Sequence, residues 1–579
     1  MKSVTIGVLV LLVWHGAVAA GTIVTASRAG ARLNTDLMKG GGTDDTTVLQ
    51  HLLDRASNGR PVHLIIDGPA LVSGLDLYGN TTVECTAGGG LYLRNGSSRA
   101  ILRNAHRSRG RIQDEHIEIK SCFLNGNRDG QPYAHLPWPD PIGYSQPSNR
   151  EEDGTFITGL QFLGVNYLKV KDLTLWNVRA FGAWVSNANY VDIHNVTVDH
   201  GVAEGNDSEV YNTDGIHFTG PVRHAVIESV TLRTGDDGIG LNANDWPVDD
   251  VTIRNDLGPY VGQGPITDVA INNVEFIDAL SGIRVFSAKE RVDRISISNV
   301  VGVIKDALLV VTHWTNGGSL GNVGGIILSN ISVARPIKWV EEGELSPADT
   351  EAVSQGGDGW RSPVIFINDR IESLSIRQWS VSIRDNRPLL EIAPEAHVHA
   401  MDVDVIAADP TLAAHILEIG RGAHIDQIRL ALLWASQRSD EGRPPIVNRG
   451  GTIGRILWLA TPPLYVRSDL QCADRLTVIF TQEVKALDFR TGVTIRVNGS
   501  SVVVDRILRG GPADTVDYIL ADPVRAGEEV TWAYNASEGS IQNSSGDSLP
   551  STSEKVVTVR SREGALCRSD AVARPAELR

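Results

Sequence analysis

The sequence has no excess of basic residues. Its 53 Lys and Arg are outnumbered by 69 Asp and Glu, so the 579-residue chain carries a formal net charge of −16. Nucleic-acid binding needs a basic surface that faces the phosphates, so nucleic acid is not expected as a partner. After the N-terminus there is also no apolar run long enough to cross a bilayer, which predicts no membrane span in the mature chain.

Cysteine is scarce as well. The four cysteines show none of the spacings typical of metal sites, and no metal or other cofactor is expected. Cys472 and Cys567 enclose a C-terminal segment, and in an exported protein this arrangement predicts a disulfide. Cys85 and Cys122 either pair with each other or remain buried thiols, and the sequence leaves both alternatives open.

The N-terminus has the layout of a secretory signal peptide. Lys2 precedes the apolar run VTIGVLVLLVWHGAVAA, which ends in small residues that suit a signal peptidase. The alternative is an N-terminal membrane anchor. We expect residues 1–20 to be removed and the mature protein to be secreted or periplasmic.

One short helix follows. Thr43–Asp45 offer N-cap side chains, an apolar helical face continues from Val48 to Ala56, and Gly59 ends the pattern. This segment predicts a short N-terminal helix that caps the β-rich part of the chain that follows it.

A six-residue phrase recurs through most of the remaining chain. Copies begin at Val170 (VKDLTL), Ile193 (IHNVTV), Ile227 (IESVTL), Ile271 (INNVEF), Ile297 (ISNVVG) and Leu328 (LSNISV), with weaker ones at Ile119 (IKSCFL) and Ile376 (IRQWSV). The first two full copies are 193 − 170 = 23 residues apart. A period of just over twenty residues, lengthened by insertions, is typical of stacked coils that bury their apolar faces only against one another.

A second phrase carries an aligned glycine in successive coils, at Gly182, Gly215, Gly238 and Gly282, which predicts a bend that tolerates glycine between the two strands of each coil. Two strands per coil, stacked in parallel, predict an all-β fold: a right-handed parallel β-helix over residues 21–460. A sandwich of hairpins is disfavoured because two-residue turn signals rarely separate the phrases. Beyond about Leu459 the pattern changes to period-two alternation, which predicts a small antiparallel, immunoglobulin-like β-sandwich over residues 463–570.

Three carboxylates stand out in this repeat. Asp214 and Asp237 each precede an aligned glycine and are 237 − 214 = 23 residues apart, so they should lie on adjacent rungs about 4.8 Å apart. Asp236 is their neighbour. Hydrolysis of a glycosidic bond with inversion needs one carboxylic acid and one carboxylate base, and clustered carboxylates keep one of their number protonated. The alternatives are bends in which Asp binds only backbone groups, or a Ca²⁺ site.

Strand alternation places further polar residues beside the acids. His217, Gly240 and Arg284 should point outward on successive rungs, with a gap at Gly240 where a sugar ring could lie. Trp184 takes the same position one coil earlier and offers a stacking platform, and Asn242 belongs to the next outward set. A polysaccharide is the expected partner, and the oligomeric state is left open.

At these residues the sequence resembles the polygalacturonase family of pectin-degrading parallel β-helix enzymes. NTDG at Asn212–Gly215 and GDDG at Gly235–Gly238 match the family motifs, and GIRVF at Gly282–Phe286 matches their arginine. The resemblance implies that Asp236 is the general acid, that Asp214 and Asp237 activate water, and that Arg284 binds substrate.

Two positions depart from the family pattern. GQG at Gly262–Gly264 places Gln263 where the family has histidine, and Phe286 replaces a lysine expected to bind a uronic carboxylate. His217 or His313 could supply what Gln263 does not, and the substrate need not be plain galacturonan. Two other functions stay open: a polysaccharide lyase on the same fold, and a glycan-binding or adhesin protein without catalysis.

Overall fold

β-strands dominate the structure, which is a computed structural model. It describes residues 21–131, 153, 155–201, 213–244, 258–313, 321–334, 363–382, 388–408, 416–433, 446–458, 465–472, 474–480, 484–508, 515–525, 528–542, 548–549 and 551–559. The predicted signal peptide, Asn212, Cys567 and the proposed boundary near residue 460 lie outside these residues. Within them, no helix is long and apolar enough to cross a membrane.

The chain divides into two units, Met1–Phe286 and Ser287–Arg579. The first contains the helix α1 (Thr46–Leu53) and the strands β1 (Thr22–Thr25), β2 (Val62–Ile66), β3 (Pro69–Val72), β4 (Leu75–Leu77), β5 (Thr81–Cys85), β6 (Gly90–Leu93), β7 (Leu102–Asn104), β8 (Asp114–Lys120), β9 (Phe123–Asn125), β10 (Leu160–Trp176), β11 (Ala183–Asp199), β12 (Ile216–Arg233), β13 (Asp237–Asn244), β14 (Ile266–Ala279) and β15 (Ser281–Ser287).

The repeated phrases of the first unit stack in register, as predicted. Val170 pairs with Ile193 and Ile193 with Ile227, and Ile227 pairs with Ile271, all between parallel strands. The weaker copy at Ile119 pairs with Val170. These side chains are all buried, and each contributes roughly 1.5–3 kcal/mol relative to an exposed position. The first unit is therefore a parallel β-helix.

The third residue of each phrase turns the chain. Asp172, Asn195, Ser229 and Asn273 all have φ between +52° and +56°, the left-handed region that Asn and Asp tolerate better than most residues. Their side chains also bond along the stack, as where the Asn195 amide donates to Asp172 Oδ1 at 2.6 Å. The polar third position of the phrase thus marks a bend within each long strand.

The aligned glycines have a different cause from the one predicted. The space beside each α-carbon, and not the conformation of a bend, restricts these positions to glycine. A Cβ atom at Gly182 would lie 2.6 Å from the carbonyl oxygen of Gly215, and one at Gly215 would lie 2.5 Å from that of Gly238. Only glycine lets the next rung approach this closely.

Helix α1 begins at Thr46, and a 3₁₀ turn extends it to Asn58 before Gly59, which has φ +74°. The predicted apolar face is largely buried, with Leu49 and Leu53 fully so. Asp45 precedes the helix but does not cap it with its side chain. Its carboxylate instead accepts the backbone N–H groups of Arg32 and Leu33 at 2.7 and 2.9 Å.

The second unit opens with further coils. Their strands are β16 (Val292–Ile304), β17 (Leu309–Thr312), β18 (Val323–Ala334), β19 (Ile365–Ile367), β20 (Arg370–Ser382), β21 (Leu390–Ile392), β22 (His397–Ala408), β23 (Leu417–Ile419), β24 (His424–Leu433), β25 (Ile446–Asn448) and β26 (Thr452–Trp458). Ile297 pairs with Leu328 and Leu328 with Ile376, in parallel register. The weak copy at Ile376 is therefore a true repeat.

Two small sheets follow the coils of the second unit. Their strands are β27 (Tyr465–Cys472), β28 (Arg475–Phe480), β29 (Val493–Val497), β30 (Ser500–Ser501), β31 (Val504–Leu508), β32 (Thr515–Leu520), β33 (Val530–Tyr534), β34 (Thr552–Val556) and β35 (Thr558–Val559). The sheets run in the orders β31-β32-β28-β27-β35 and β30-β29-β33-β34. Apolar side chains from both form one core that includes Val478, Tyr518 and Trp532. This is the predicted antiparallel sandwich, and its immunoglobulin-like class stays a prediction.

The first unit contains a disulfide between Cys85 and Cys122. Of the two alternatives that the sequence leaves open, the two cysteines therefore pair and are not buried thiols. The bond joins adjacent coils, since Val83 pairs with Ile119 between β5 and β8. The predicted Cys472–Cys567 bond stays a prediction because Cys567 is outside the described residues.

Candidate active site

The three aspartates are positioned by the starts of two stacked strands. Asp214 comes two residues before β12, and Asp237 is the first residue of β13. The backbone N–H of Gly215 donates to the carbonyl of Asp237 at 2.9 Å, which ties the two rungs together at this point. His217 then pairs with Gly240 in register. The one-coil offset read from the sequence therefore brings the acids onto neighbouring rungs.

The carboxylates form one cluster. One oxygen from each of Asp214, Asp236 and Asp237 lies within 4.8 Å of the other two. Asp214 and Asp237 are only 3% and 4% exposed, whereas Asp236 is half-buried. Asp236 is therefore the member of the cluster that a bound molecule can reach most easily. Three carboxylate oxygens at this spacing are also a ligand set that a hard divalent cation accepts.

Burial raises the pKa of Asp214 well above its ordinary value, and the nearby charge of Asp236 raises it further. Arg284 and the backbone N–H of Asp237 act in the opposite direction but do not cancel these effects. The charged form of a carboxyl group is disfavoured both by low dielectric and by a like charge. The cluster thus holds a proton at Asp214 to higher pH than an exposed aspartate would.

Arg284 pairs with Asp237. Its Nε lies 3.0 Å from Asp237 Oδ1, and both side chains are buried. The guanidinium also lies over the ring of Phe286, 5.3 Å from its centroid. Phe286, which stands where the polygalacturonase family has a lysine, therefore contacts Arg284, the residue predicted to bind substrate. A buried ion pair of this kind favours the ionised form of Asp237.

His217 contacts Asp214 directly, with Nδ1 2.6 Å from Oδ2, and its ring stacks on Phe181 at a centroid distance of 4.2 Å. A Cβ atom at Gly240 would lie 2.8 Å from the same Nδ1. The predicted gap for a sugar ring at Gly240 is therefore wrong. The space above this glycine belongs to the His217–Asp214 pair, which can share one proton.

Trp184 does not offer the predicted stacking platform. Its side chain is 0% exposed and packs against Phe156 and Phe181. The indole Nε1 donates to Thr219 Oγ1 at 2.9 Å, so its polar atom is satisfied inside the protein. Trp184 supports the wall behind His217 and does not present a face to substrate.

The other predicted binding residues are dispersed. Asn242 is buried on β13 beside Thr219. Gln263 is exposed just before β14, and in the described part of the chain no hydrogen bond links it to the aspartates. His313 belongs to the second unit, where its fully buried side chain contacts Asp369. Asn212 lies outside the described residues.

The structure adds one residue that the sequence did not indicate. His200 is buried behind Asp214, with Nε2 3.0 Å from the Asp214 carbonyl oxygen and Nδ1 3.3 Å from that of Val178. Burial lowers its pKa to about 4, so the imidazole is neutral near pH 7. It follows the last residue of β11, Asp199, and no motif marks it in the sequence. It anchors the backbone that carries Asp214.

Residues 75–335 match the family model described as Glycosyl hydrolases family 28. Similar solved structures include a family 28 exopolygalacturonase of Yersinia enterocolitica (13% identity, 76% of this chain and 79% of that chain, TM-score 0.41). An exopolygalacturonase of Thermotoga maritima (13%, 76% and 92%, TM-score 0.41) and the Streptococcus pneumoniae surface protein and adhesin PfbA (10%, 76% and 97%, TM-score 0.43) are also similar.

No curated protein matches the sequence. The matched residues include the whole carboxylate cluster and Arg284, and they coincide with the coils that carry the predicted motifs. The part of the chain that holds the three aspartates is therefore similar to glycosyl hydrolases family 28, the polygalacturonase-like family that its motifs predicted.

Proposed function

We propose that this protein is a glycoside hydrolase that cleaves a polysaccharide by acid/base hydrolysis at the three aspartates. The observation that carries the proposal is the cluster itself, in which one oxygen of each carboxylate lies within 4.8 Å of the others. Clustered carboxylates repel one another, and such an arrangement is typical of a site that needs one protonated and one ionised acid at the same pH.

The surroundings of each acid suggest its role. Asp236 is the most accessible, and it is assigned the donation to the leaving oxygen of the proton that the clustered carboxyl groups share. Asp237 is assigned the activation of water, because its contact with Arg284 at 3.0 Å favours a carboxylate. Asp214, whose pKa is raised by burial and by Asp236, binds the same water and exchanges its proton with His217.

Inversion is part of the proposal. In an inverting pair the two carboxyl groups are usually about 6.5–9.5 Å apart, so that water fits between them. The nearest oxygens of Asp214, Asp236 and Asp237 lie within 4.8 Å of one another, which is closer than that. We therefore propose that the water lies between Asp214 and Asp237, and not between Asp236 and Asp237. Proton NMR of the first product tests this point: the inverted anomer supports it, and the retained anomer would make Asp237 a nucleophile.

The substrate is proposed to be a plant, algal or microbial polysaccharide other than plain galacturonan. Phe286 gives the site no second cation for a uronic carboxylate, and it packs under Arg284. A polysaccharide panel, assayed for new reducing ends with and without chelator, would identify the substrate. If the product is instead an unsaturated uronate, detected by its ultraviolet absorbance, the protein is a polysaccharide lyase.

Replacing the proposed acid tests catalysis itself. Asp236→Asn is expected to lower kcat by roughly 10²–10⁴-fold, the usual contribution of a general acid. Asp192→Asn is the matched control, since Asp192 is a half-buried residue on β11 that pairs with Lys171. Its replacement should leave kcat unchanged.

The burial of Asp214 and Asp237 is the observation that favours the second candidate, a glycan-binding protein without catalysis. If the wild type binds a glycan from the panel but releases no product, and Asp236→Asn behaves identically, the hydrolase proposal is wrong.

A further inference from the structure

A histidine-rich patch lies on the outer face of the second unit's coils. Arg370, His397, His424 and Thr452 occupy the same register position on successive parallel strands β20, β22, β24 and β26. Asp426 follows two residues after His424 and therefore points to the same face of its strand. None of these residues belongs to the carboxylate cluster described above.

Three of these side chains converge on one point. His397 Nε2 and His424 Nε2 lie 3.0 and 2.7 Å from the same carboxylate oxygen, Asp426 Oδ1. One ligand atom from each of the three lies within 4.8 Å of the other two. His399 approaches the second oxygen, with Nδ1 2.5 Å from Asp426 Oδ2. The patch thus presents imidazole nitrogens and a carboxylate from two adjacent rungs.

We propose that His397, His424 and Asp426 bind a divalent transition-metal ion, with Zn²⁺ the best-suited ion and His399 an available further ligand. Imidazole and carboxylate are the donor set that suits zinc in proteins. Bonds of about 2.0–2.1 Å in a tetrahedral site place neighbouring ligand atoms roughly 3.3 Å apart. The contacts at 2.7 and 3.0 Å need to open by only a few tenths of an ångström.

The ring nitrogen of His424 that faces away from Asp426 also has a partner. His424 Nδ1 lies 2.5 Å from Thr452 Oγ1, and a ligand histidine characteristically bonds through its other nitrogen to such a partner. When Thr452 accepts the Nδ1 proton, His424 directs a lone pair at Asp426, and a cation between the two satisfies both. The side chains of His397 and His424 are 36% and 44% exposed, so an ion can reach them from solvent.

A bound ion would link two coils. His397 lies on β22, whereas His424 and Asp426 lie on β24. Binding to the folded state alone stabilises that state in proportion to the logarithm of ion concentration. The bound ion would therefore stabilise the packing of neighbouring coils in the second unit. This structural role is separate from carbohydrate chemistry.

Zinc titration of the full chain without a histidine tag tests the proposal. Isothermal titration calorimetry is expected to show that the wild type binds one Zn²⁺ ion with high affinity. In both His424→Gln and Asp426→Asn the Kd for Zn²⁺ should rise by about 100-fold or more. Thr452→Val removes the hydroxyl that contacts His424 Nδ1 and should raise Kd by about 10–100-fold. Co²⁺ should give the visible absorption of a tetrahedral N/O site in the wild type only.

The controls separate this site from others. His194→Gln removes an exposed histidine on β11 and should bind zinc as the wild type does. Asp236→Asn should also retain the ion, and loss of zinc in that variant would assign binding to the carboxylate cluster and overturn the proposal. Equal zinc binding by the wild type and by both ligand variants, or no binding by the wild type, would overturn it too. Circular dichroism confirms that each variant is folded.

Discussion

At the residue scale, Gly182 lies where the backbone of the next coil passes directly beside its α-carbon. The nearest atoms to an added Cβ would be the Gly215 carbonyl oxygen and Val198 Cγ1, both at 2.6 Å. A rung carbonyl cannot move aside without breaking the hydrogen bonds that stack the coils. The same contact repeats at Gly215 and Gly238, which explains a glycine at this place in coil after coil.

Gly182→Ala is therefore expected to lower the free energy of unfolding by about 1–3 kcal/mol, the usual cost of overpacking. Chemical denaturation followed by tryptophan fluorescence measures the effect. Gly110→Ala is the matched control, because the nearest atom to its added Cβ, Ser108 Oγ, lies at 3.7 Å; it should change stability by less than about 0.5 kcal/mol. Equal stability of the two variants would contradict the steric explanation.

At the element scale, parallel stacking places like residues on top of one another. Asn ladders and aliphatic columns benefit from this, but charges do not. Glu391 on β21 and Glu418 on β23 occupy the same register position. Burial raises the pKa of Glu391 to about 7, and the charge of Glu418 contributes to the rise. Glu418 is itself paired with Arg449 at 3.1 Å, which leaves Glu391 as the member that keeps its proton.

A raised pKa gives a pH dependence of known sign. Folded protein binds the Glu391 proton more tightly than unfolded protein, so this contribution to stability is complete below pH about 4.5 and is lost as pH rises through about 7. Relative to Glu391→Gln, the wild type should lose on the order of 1–3 kcal/mol of unfolding free energy over that range.

Urea denaturation at several pH values measures this difference. Glu275→Gln changes an exposed glutamate on β14 and should show no pH-dependent difference from the wild type. A Glu391→Gln curve parallel to the wild-type curve would contradict the assignment.

At the scale of the whole molecule, we propose that the protein is exported. The support is the apolar N-terminal run that ends at Ala20, together with the Cys85–Cys122 disulfide, a bond that persists mainly in oxidising compartments. An acidic surface with net charge −16 also keeps an exported protein soluble.

Expression of the full chain in a bacterial host should yield an exported product whose N-terminal sequence begins at Gly21. Leu11→Arg with Leu12→Asp interrupts the apolar run and should retain the chain in the cytoplasm, because a signal peptide needs an uninterrupted apolar core. Edman sequencing or mass spectrometry of each fraction measures the outcome. A membrane-bound product that still begins at Met1 would instead support the anchor alternative.

The sequence by itself determined the coil repeat, the register of Val170, Ile193 and Ile227, and the meeting of the three aspartates. These follow from local rules: side chains alternate along a strand, and a repeat length decides which residues become vertical neighbours. The contacts of the Asp45 carboxylate with Arg32 and Leu33 and the pairing of Cys85 could not be predicted in the same way, since both depend on partners elsewhere in the chain.

Only the tertiary structure decided which outward positions are open. Alternation predicts that Trp184 and His217 leave the core, but it says nothing of what then packs over them. Phe156 and Val261, distant in sequence from Trp184 and from each other, cover that face and turn a predicted platform into an interior wall. Burial is a property of the whole packed chain, so the accessibility of a site is the part of its chemistry that a linear pattern cannot specify.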